Sequence, residues 1–384
     1  VVAPTPDRGR PGSRRREPGW DVLRSGFVLL VVLYHATYLG PVLHPELLPR
    51  RYSFDHQVGA SLLLVISAYF ACATLGRHSP GRYWWGRVCR LLPAFLVAVP
   101  VAWTVLRLGA PAEWGTPPSR ELWINWLMLG NWDTVRFPWL DPAFWTLPLQ
   151  LMAFTAAAVL STTRWGSGRR LRVLLWAMVL VPLLLWPLRA RPGDPAEPPE
   201  WYRMVIDGFG FHRLHLFVAG IVIWLWSTGR TRTAHAIALL GMCGIAQWLH
   251  AFVPGPDGVV WLDRDHVDLA AVAMVCAGIA LVALVARLPR PGAWTPAPLA
   301  AAFRWLAGIS YGVYLMHQTA GYVLMRRLQD AGAGPLVQCT AMLATAVLLG
   351  WLLTRCVERP AHAALMRTWD RWAAARDTRE RVNA

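Results

Sequence analysis

Residues 21–38 read DVLRSGFVLLVVLYHATY. A long apolar run starts just after one cation, Arg24, and carries one ionisable ring, His35, eleven residues further in. At about 100° per residue, eleven residues make three turns plus about 20°, so Arg24 and His35 share a helix face. The rise between them is about 16 Å, roughly half of a 30 Å hydrocarbon core. A guanidinium therefore stands at the entrance of a span, with an imidazole in line behind it near mid-depth. Asp21 lies one turn before Arg24 and can orient its fork. The plainer alternative makes His35 a structural partner of a neighbouring helix and Arg24 an ordinary anchor. Ionisable groups inside a membrane are costly and mark functional sites by default, so Arg24 and His35 lead the candidate residues.

The rest of the chain fits that reading. Of its 384 residues, 55% are hydrophobic and only 16% are charged, against roughly a quarter charged in soluble proteins. The apolar residues gather in long blocks, several exceeding the roughly 18–20 residues that cross a bilayer. The sequence predicts an all-α polytopic membrane protein with about ten spans, at 25–43, 57–75, 91–108, 143–161, 171–188, 211–227, 234–253, 267–286, 305–325 and 336–355. The piece 122–129 is too short to span and is expected at the face opposite the termini. The first apolar block is too long for a cleavable leader, and no A-x-A site follows it. Cys72, Cys89, Cys243, Cys276, Cys339 and Cys356 have no ligand spacing, which argues against both a metal site and a disulfide framework.

Charge placement sets the expected orientation. Net charge is +16, and all 38 basic residues are arginine. With ten spans both termini lie on one side, which collects 26 of the arginines and seven of the acids, a net +19. The other side holds the remaining 12 arginines and 15 acids, a net −3. The positive-inside rule then puts both termini in the cytoplasm and the protein in the cytoplasmic membrane. The same placement assigns the positive charge to topology and lipid contact and argues against nucleic acid as a partner. The 23 tryptophans often sit at expected helix ends, as interfacial anchors do. Residues 1–20 read as a disordered basic arm, 21–360 as the membrane domain, and 361–384 as a cytoplasmic tail with a short interfacial helix around Trp369 and Trp372.

A second cluster opens the third span: RYWWGRVCRLLP, residues 82–93. Arg87 and Arg90 are three apart and so lie on one helix face. Paired guanidiniums suit phosphate oxygens through bidentate contacts; the plainer reading is a topology signal that also holds lipid headgroups. Ser310, Tyr314 and His317 follow i, i+4, i+7 spacing and share a face, able to line a cavity or simply to bond between helices. Asp263, Asp265, His266 and Asp268 read best as a solvated loop end, because nothing in the sequence completes a coordination shell. His212, Arg213 and His215 open the sixth span and could meet a sugar or a headgroup.

Four stretches together resemble the acyltransferase 3 family of bacterial membrane O-acyltransferases. DVLRSGFVLLVVLYH resembles its first helix, with Arg24 and His35 at the R-x10-H positions, and GASLLLVISAYFACATL resembles its second. RYWWGRVCRLLPAFL is similar to its R-x-x-R segment, which places Arg87 and Arg90. ISYGVYLMHQTAGYVL followed by RCVERPAH is similar to its closing helices. One departure stands out. Where the family often has Trp-x-Leu-Ser-x-Glu, this chain has Trp145, Leu147, Pro148 and Gln150, and Gln150 cannot act as a carboxylate acid or base.

The resemblance implies acyl transfer from cytoplasmic acyl-coenzyme A, acetyl above all, to a hydroxyl of a carbohydrate or glycosylated metabolite. Arg87, Arg90 and Asp21 would serve the donor, Arg24 would join His35 as catalytic and could also reach the donor phosphates, and His35 would act as general base or acyl carrier. Trp145 and Gln150 would join Ser310, Tyr314 and His317 around the cavity. Coenzyme A is then a consumed donor, and no bound cofactor is required. Two other classes fit the same residues: a transporter or flippase of a polar or glycosylated molecule, and a non-catalytic scaffold. The sequence shows neither the inverted repeat nor the paired broken helices that favour a transporter.

Overall fold

The computed structural model describes residues 17–47, 52–133, 136–188, 200–252, 268–288 and 295–382. Residues 1–16 of the expected arm, and Asp263, Asp265 and His266, lie outside them; residues 18–20 of that arm instead open the first helix. All regular structure among the described residues is helical. The helices are α1 Pro18–Tyr34, α2 Gly40–Leu43, α3 Gly59–Leu75, α4 Pro80–Gly109, α5 Ser119–Trp126, α6 Thr146–Ser161, α7 Gly168–Leu184 and α8 Glu200–Arg203. They continue with α9 Leu214–Ser227, α10 Thr233–Phe252, α11 Leu269–Arg287, α12 Ala297–Met316, α13 Gln318–Asp330, α14 Pro335–Leu353 and α15 Arg359–Val382. A π-helical turn, His35–Leu39, joins α1 to α2, and another, Thr354–Glu358, joins α14 to α15.

Local chemistry fixes many of these ends. Proline sits in the first turn of α1, α4 and α14, where its missing N–H is not needed. Ser79 caps α4 and Asp268 caps α11, each accepting a backbone N–H. Pro93 and Pro100 lie inside α4, an arrangement that neighbouring helices make tolerable in a membrane.

The polytopic all-α reading holds, and the count of ten does not. Among the described residues six helical stretches are long and apolar enough to cross a membrane, and seven if the bent pair Glu200–Gly208 and Phe211–Ser227 is one span. The expected spans 57–75 and 234–253 do form helices, but their apolar stretches, Gly59–Leu75 and Thr233–Leu249, are shorter. The expected span 171–188 is a 17-residue helix whose first turns carry Arg169, Arg170 and Arg172. At 1.5 Å per residue, 17 residues cover only about 26 Å. The expected span 305–325 breaks at His317 between α12 and α13, and the expected tail is one long helix from Arg359 onwards rather than a short one.

Among the described residues the core falls into three clusters. One packs α3 and α9 against α11 and α10; a second packs α4 against α6 and the inner end of α12; the third joins α1, α12, α13 and α14. Glycine brings several pairs of helices into backbone contact, α1 with α3 at Gly59 among them. A Cβ on Gly220 of α9 would stand 2.2 Å from the Val65 carbonyl of α3, and one on Gly312 of α12 would stand 2.3 Å from the Gly350 carbonyl of α14. On the outside, Leu108, Leu184 and Leu336 are 80%, 76% and 81% exposed; apolar groups facing outward suit lipid.

Candidate functional site

A cavity of about 910 Å³ runs between α1, α3, α4, α6 and α12. Arg24, Arg77, Arg87, Arg90 and Arg359 line one end, and Ser67, Thr146, Gln150, Ser310 and Tyr314 line the other. Aromatic rings, among them Trp20, Tyr69 and Phe70, line the walls beside the arginines. Thr146 and Phe154 both border the cavity and are eight residues apart on α6, so it extends at least about 12 Å along that helix. The result is a cationic vestibule leading into a neutral, hydroxyl-rich end.

The arginines are held in place by their own surroundings. One Arg87 nitrogen donates to the Phe70 carbonyl at 2.9 Å and to Thr74 Oγ1 at 2.5 Å. The Arg87 guanidinium also lies over the Tyr83 and Phe154 rings, at 5.4 and 5.0 Å. Arg90 sits 3.8 Å from the Glu358 carboxylate, which accepts from Thr354 Oγ1. Arg24 lies over Phe70 at 5.5 Å, and Asp21 is buried beside it on α1 and borders the same cavity.

His35 opens the π-helical turn, a feature often found at functional sites. Its Nδ1 lies 2.7 Å from the Val31 carbonyl. A carbonyl can only accept, so Nδ1 carries the hydrogen and Nε2 of the neutral ring keeps the lone pair. His317 is arranged the same way, with Nδ1 2.8 Å from the Tyr314 carbonyl. The two imidazoles meet edge to face, with centroids 4.6 Å apart. This pair stands one layer behind the cavity: His317 lies next to Tyr314, and Tyr314 forms part of the inner wall. The Tyr314 hydroxyl donates to the Ala143 carbonyl at 2.9 Å and accepts from Thr146 Oγ1 at 3.0 Å. These two bonds fix the partition between cavity and histidines.

The fold therefore brings together Asp21, Arg24, Arg87, Arg90, Gln150, Ser310 and Tyr314 around one cavity, with His35 and His317 paired behind its inner wall. Gln150 accepts a hydrogen bond from Ser67 at 3.1 Å. Ser310 donates to the Ala307 carbonyl of its own helix. Trp145 does not border the cavity; it lies under the Arg213 guanidinium at 4.7 Å. His212, Arg213 and His215 are buried away from it, with His215 Nε2 3.0 Å from Gln247 Oε1. Asp268 bonds His56 at 2.9 Å as well as capping α11.

Sequence reasoning missed Ser67, Arg77, Thr146, Glu358 and Arg359. Ser67 and Thr146 are single small hydroxyls in apolar runs and carry no signal by themselves. Glu358 and Arg359 did have one, because they lie in the RCVERPAH stretch beside a proline.

This is a multi-pass helical membrane protein built around a polar cavity with a cationic entrance. The family model for an acyltransferase domain, acyltransferase 3, matches residues 17–355, and the chain belongs to that family of membrane acyltransferases. No curated protein and no solved structure matches it.

Proposed function

We propose that the protein transfers an acyl group, acetyl above all, from acyl-coenzyme A to a hydroxyl of a carbohydrate or glycosylated small molecule. The observation that carries this reading is the single cavity that joins the arginine vestibule to the wall in front of the His35–His317 pair. The phosphates of the donor dock on Arg87 and Arg90, assisted by Arg24, whose fork Asp21 orients. The pantetheine arm runs inward along the aromatic walls towards Tyr314.

His35 takes the chemical role. With its lone pair on Nε2, it accepts the proton of the attacking hydroxyl as that oxygen forms the new C–O bond. The thioester C–S bond breaks, and the proton ends on the departing thiolate, so the products are an ester and free coenzyme A. The covalent route uses the same atom: Nε2 attacks the thioester and expels the coenzyme A thiolate, then gives the acyl group to the hydroxyl, whose proton the thiolate takes up. Both routes need the partition at Tyr314 to open, because His35 does not border the cavity. The arginine asymmetry of the sequence supports the arginine-lined end, and both termini, facing the cytoplasm, in the cytoplasmic membrane. The transfer unit is residues 21–360, flanked by the basic arm and the C-terminal helix.

The test uses membranes carrying the wild type or His35→Ala with labelled acetyl-coenzyme A, followed by mass spectrometry of acylated products. Loss of products with normal insertion of the variant supports the reading. Full activity of His35→Ala would sink it.

A further inference from the structure

Next to the histidine pair lie buried polar atoms that the chemistry above does not use. His317 Nε2, both amide atoms of Gln318 and the Tyr322 hydroxyl have no hydrogen-bond partner among the described residues. The three side chains are 0%, 1% and 2% exposed. Buried polar groups are nearly always partnered, and leaving one unpaired is costly. Four such atoms within six residues make a concentrated set of unmet hydrogen bonds beside the proposed reacting centre.

Their placement gives them a direction. Gln318 and Tyr322 are four apart on α13, on one face and about 6 Å apart along the axis. That face meets the chain that follows His35: a Cβ on Gly40 would stand 3.1 Å from the Tyr322 ring, and the His44 ring centroid is 5.6 Å from that of Tyr322. Tyr314 lies one turn before His317 and Tyr322 more than one turn after it, so the histidine pair separates these groups from the arginine cavity along the axis. The polar face thus leads from His35 to the end of the bundle opposite the arginines, where His44 stacks on Trp114 at 3.6 Å. Burial brings the His44 imidazole down to about 4 against the opposing pull of Glu46, so the ring itself is neutral at ordinary pH beside the Glu46 carboxylate 3.7 Å away.

We infer that Gln318 and Tyr322, together with His317, form the binding subsite for the acceptor, which reads neighbouring hydroxyls of an uncharged glycoside. An amide offers a donor and an acceptor, a phenol offers both, and Nε2 of His317 accepts. A hydroxyl group also donates and accepts, so this set matches vicinal hydroxyls. The three groups themselves are uncharged, and the Asp141 carboxylate, which accepts from the Thr319 N–H at 3.0 Å and faces Tyr322, makes the set a poor site for a carboxylate or phosphate ligand. The inference rests on the acyl-transfer reading for the identity of the ligand, and on unpaired buried atoms for the location.

The test uses the full-length protein purified in detergent, with Gln318→Leu and Tyr322→Phe as variants that keep side-chain bulk and remove the unpaired atoms. The probes are the methyl glycosides of glucose, galactose and mannose, with acetyl-coenzyme A as donor. Both variants are expected to melt at or above the wild-type temperature, since an apolar isostere in place of an unpaired group is neutral or stabilising. They are expected to raise the KM for an accepted glycoside at least tenfold and to leave the KM for acetyl-coenzyme A within twofold. A melting temperature lowered by several degrees would show that these groups hold the fold together, and would overturn the assignment. An unchanged glycoside KM, or a wild type that turns over acetyl-coenzyme A but acylates none of the three glycosides, overturns it as well. If the wild type does not turn over acetyl-coenzyme A at all, the donor reading fails by itself. The subsite is then decided by melting alone: a glycoside-dependent rise that is present in the wild type and lost in both variants keeps it, and no rise in the wild type rejects it.

Discussion

Gly312→Ala tests the packing on which the cavity depends. A Cβ at position 312 would stand 2.3 Å from the Gly350 carbonyl oxygen and 2.8 Å from Thr354 Oγ1. Ordinary contact begins at 3.4 Å, so α12 and α14 must part by about 1 Å at this crossing. The nearest atom is backbone and cannot rotate away. Overpacking of this kind costs about 1–3 kcal/mol, and helix propensity returns up to about 1 kcal/mol when Gly becomes Ala. Gly241 of α10 supplies the control, because it is exposed and a Cβ there meets nothing within 4 Å. Gly241→Ala shares the propensity gain without the clash, so the difference between the two variants isolates a clash of about 1–3 kcal/mol. Unfolding in mixed micelles, followed by tryptophan fluorescence, measures it. Tyr311 and Tyr314 move with α12, and misplacement by 1 Å near reacting groups can cost about a hundredfold in rate. Acyl transfer by Gly312→Ala should therefore fall by more than its stability loss suggests. Equal stability of the two variants, within about 0.5 kcal/mol, would refute the backbone contact.

Three further outcomes follow from the site. Tyr314→Phe removes the bond to Ala143 and leaves Thr146 Oγ1 without its acceptor, so chemical unfolding should show a loss of about 1–2 kcal/mol. Arg87→Lys keeps the charge but not the fork that holds Phe70 and Thr74, and the KM for acetyl-coenzyme A should rise about tenfold in steady-state assays, with kcat changed less. Trp85→Phe removes the bond from Trp85 Nε1 to the Leu365 carbonyl and weakens the stack on Trp369. Hydrogen exchange should then speed up in the first turns of α15 while the rest of the bundle stays protected.

How much of this was legible in the sequence differs from residue to residue. Arg24 and His35 were placed on one helix because an eleven-residue interval fixes an angle, and α1 runs unbroken to Tyr34. Arg87 and Arg90 were found for the same reason, and both border the cavity. The partition in front of His35 was not legible. It depends on Thr146, Ala143 and Tyr314 meeting across 168 to 171 residues of chain, and periodicity says nothing about which helix a face will meet. The break at His317 was also hidden, because its backbone angles remain helical. The span count was overestimated because 17 apolar residues and 20 read alike when ends are uncertain by several residues, although only the longer stretch meets the full length needed to cross.

The helix pair α14 and α15 deserves a mechanical reading. Joined through the π-helical turn, the two run from Pro335 to Val382 without an interruption in helical structure. Forty-eight residues at 1.5 Å each measure about 72 Å, more than twice the roughly 30 Å hydrocarbon thickness of a bilayer. The distal part is braced against the start of α4 by the Arg82–Asp370 pair and the Trp85–Trp369 stack. The bundle therefore carries a stiff mast, and Glu358 and Arg359 sit at its base, against Arg90 and the cavity entrance. A protein fused to the C-terminus would ride on that mast instead of hanging from a slack tether. A force applied to it would meet the brace on Arg82 and Trp85 of α4 before it reached the arginines of the vestibule.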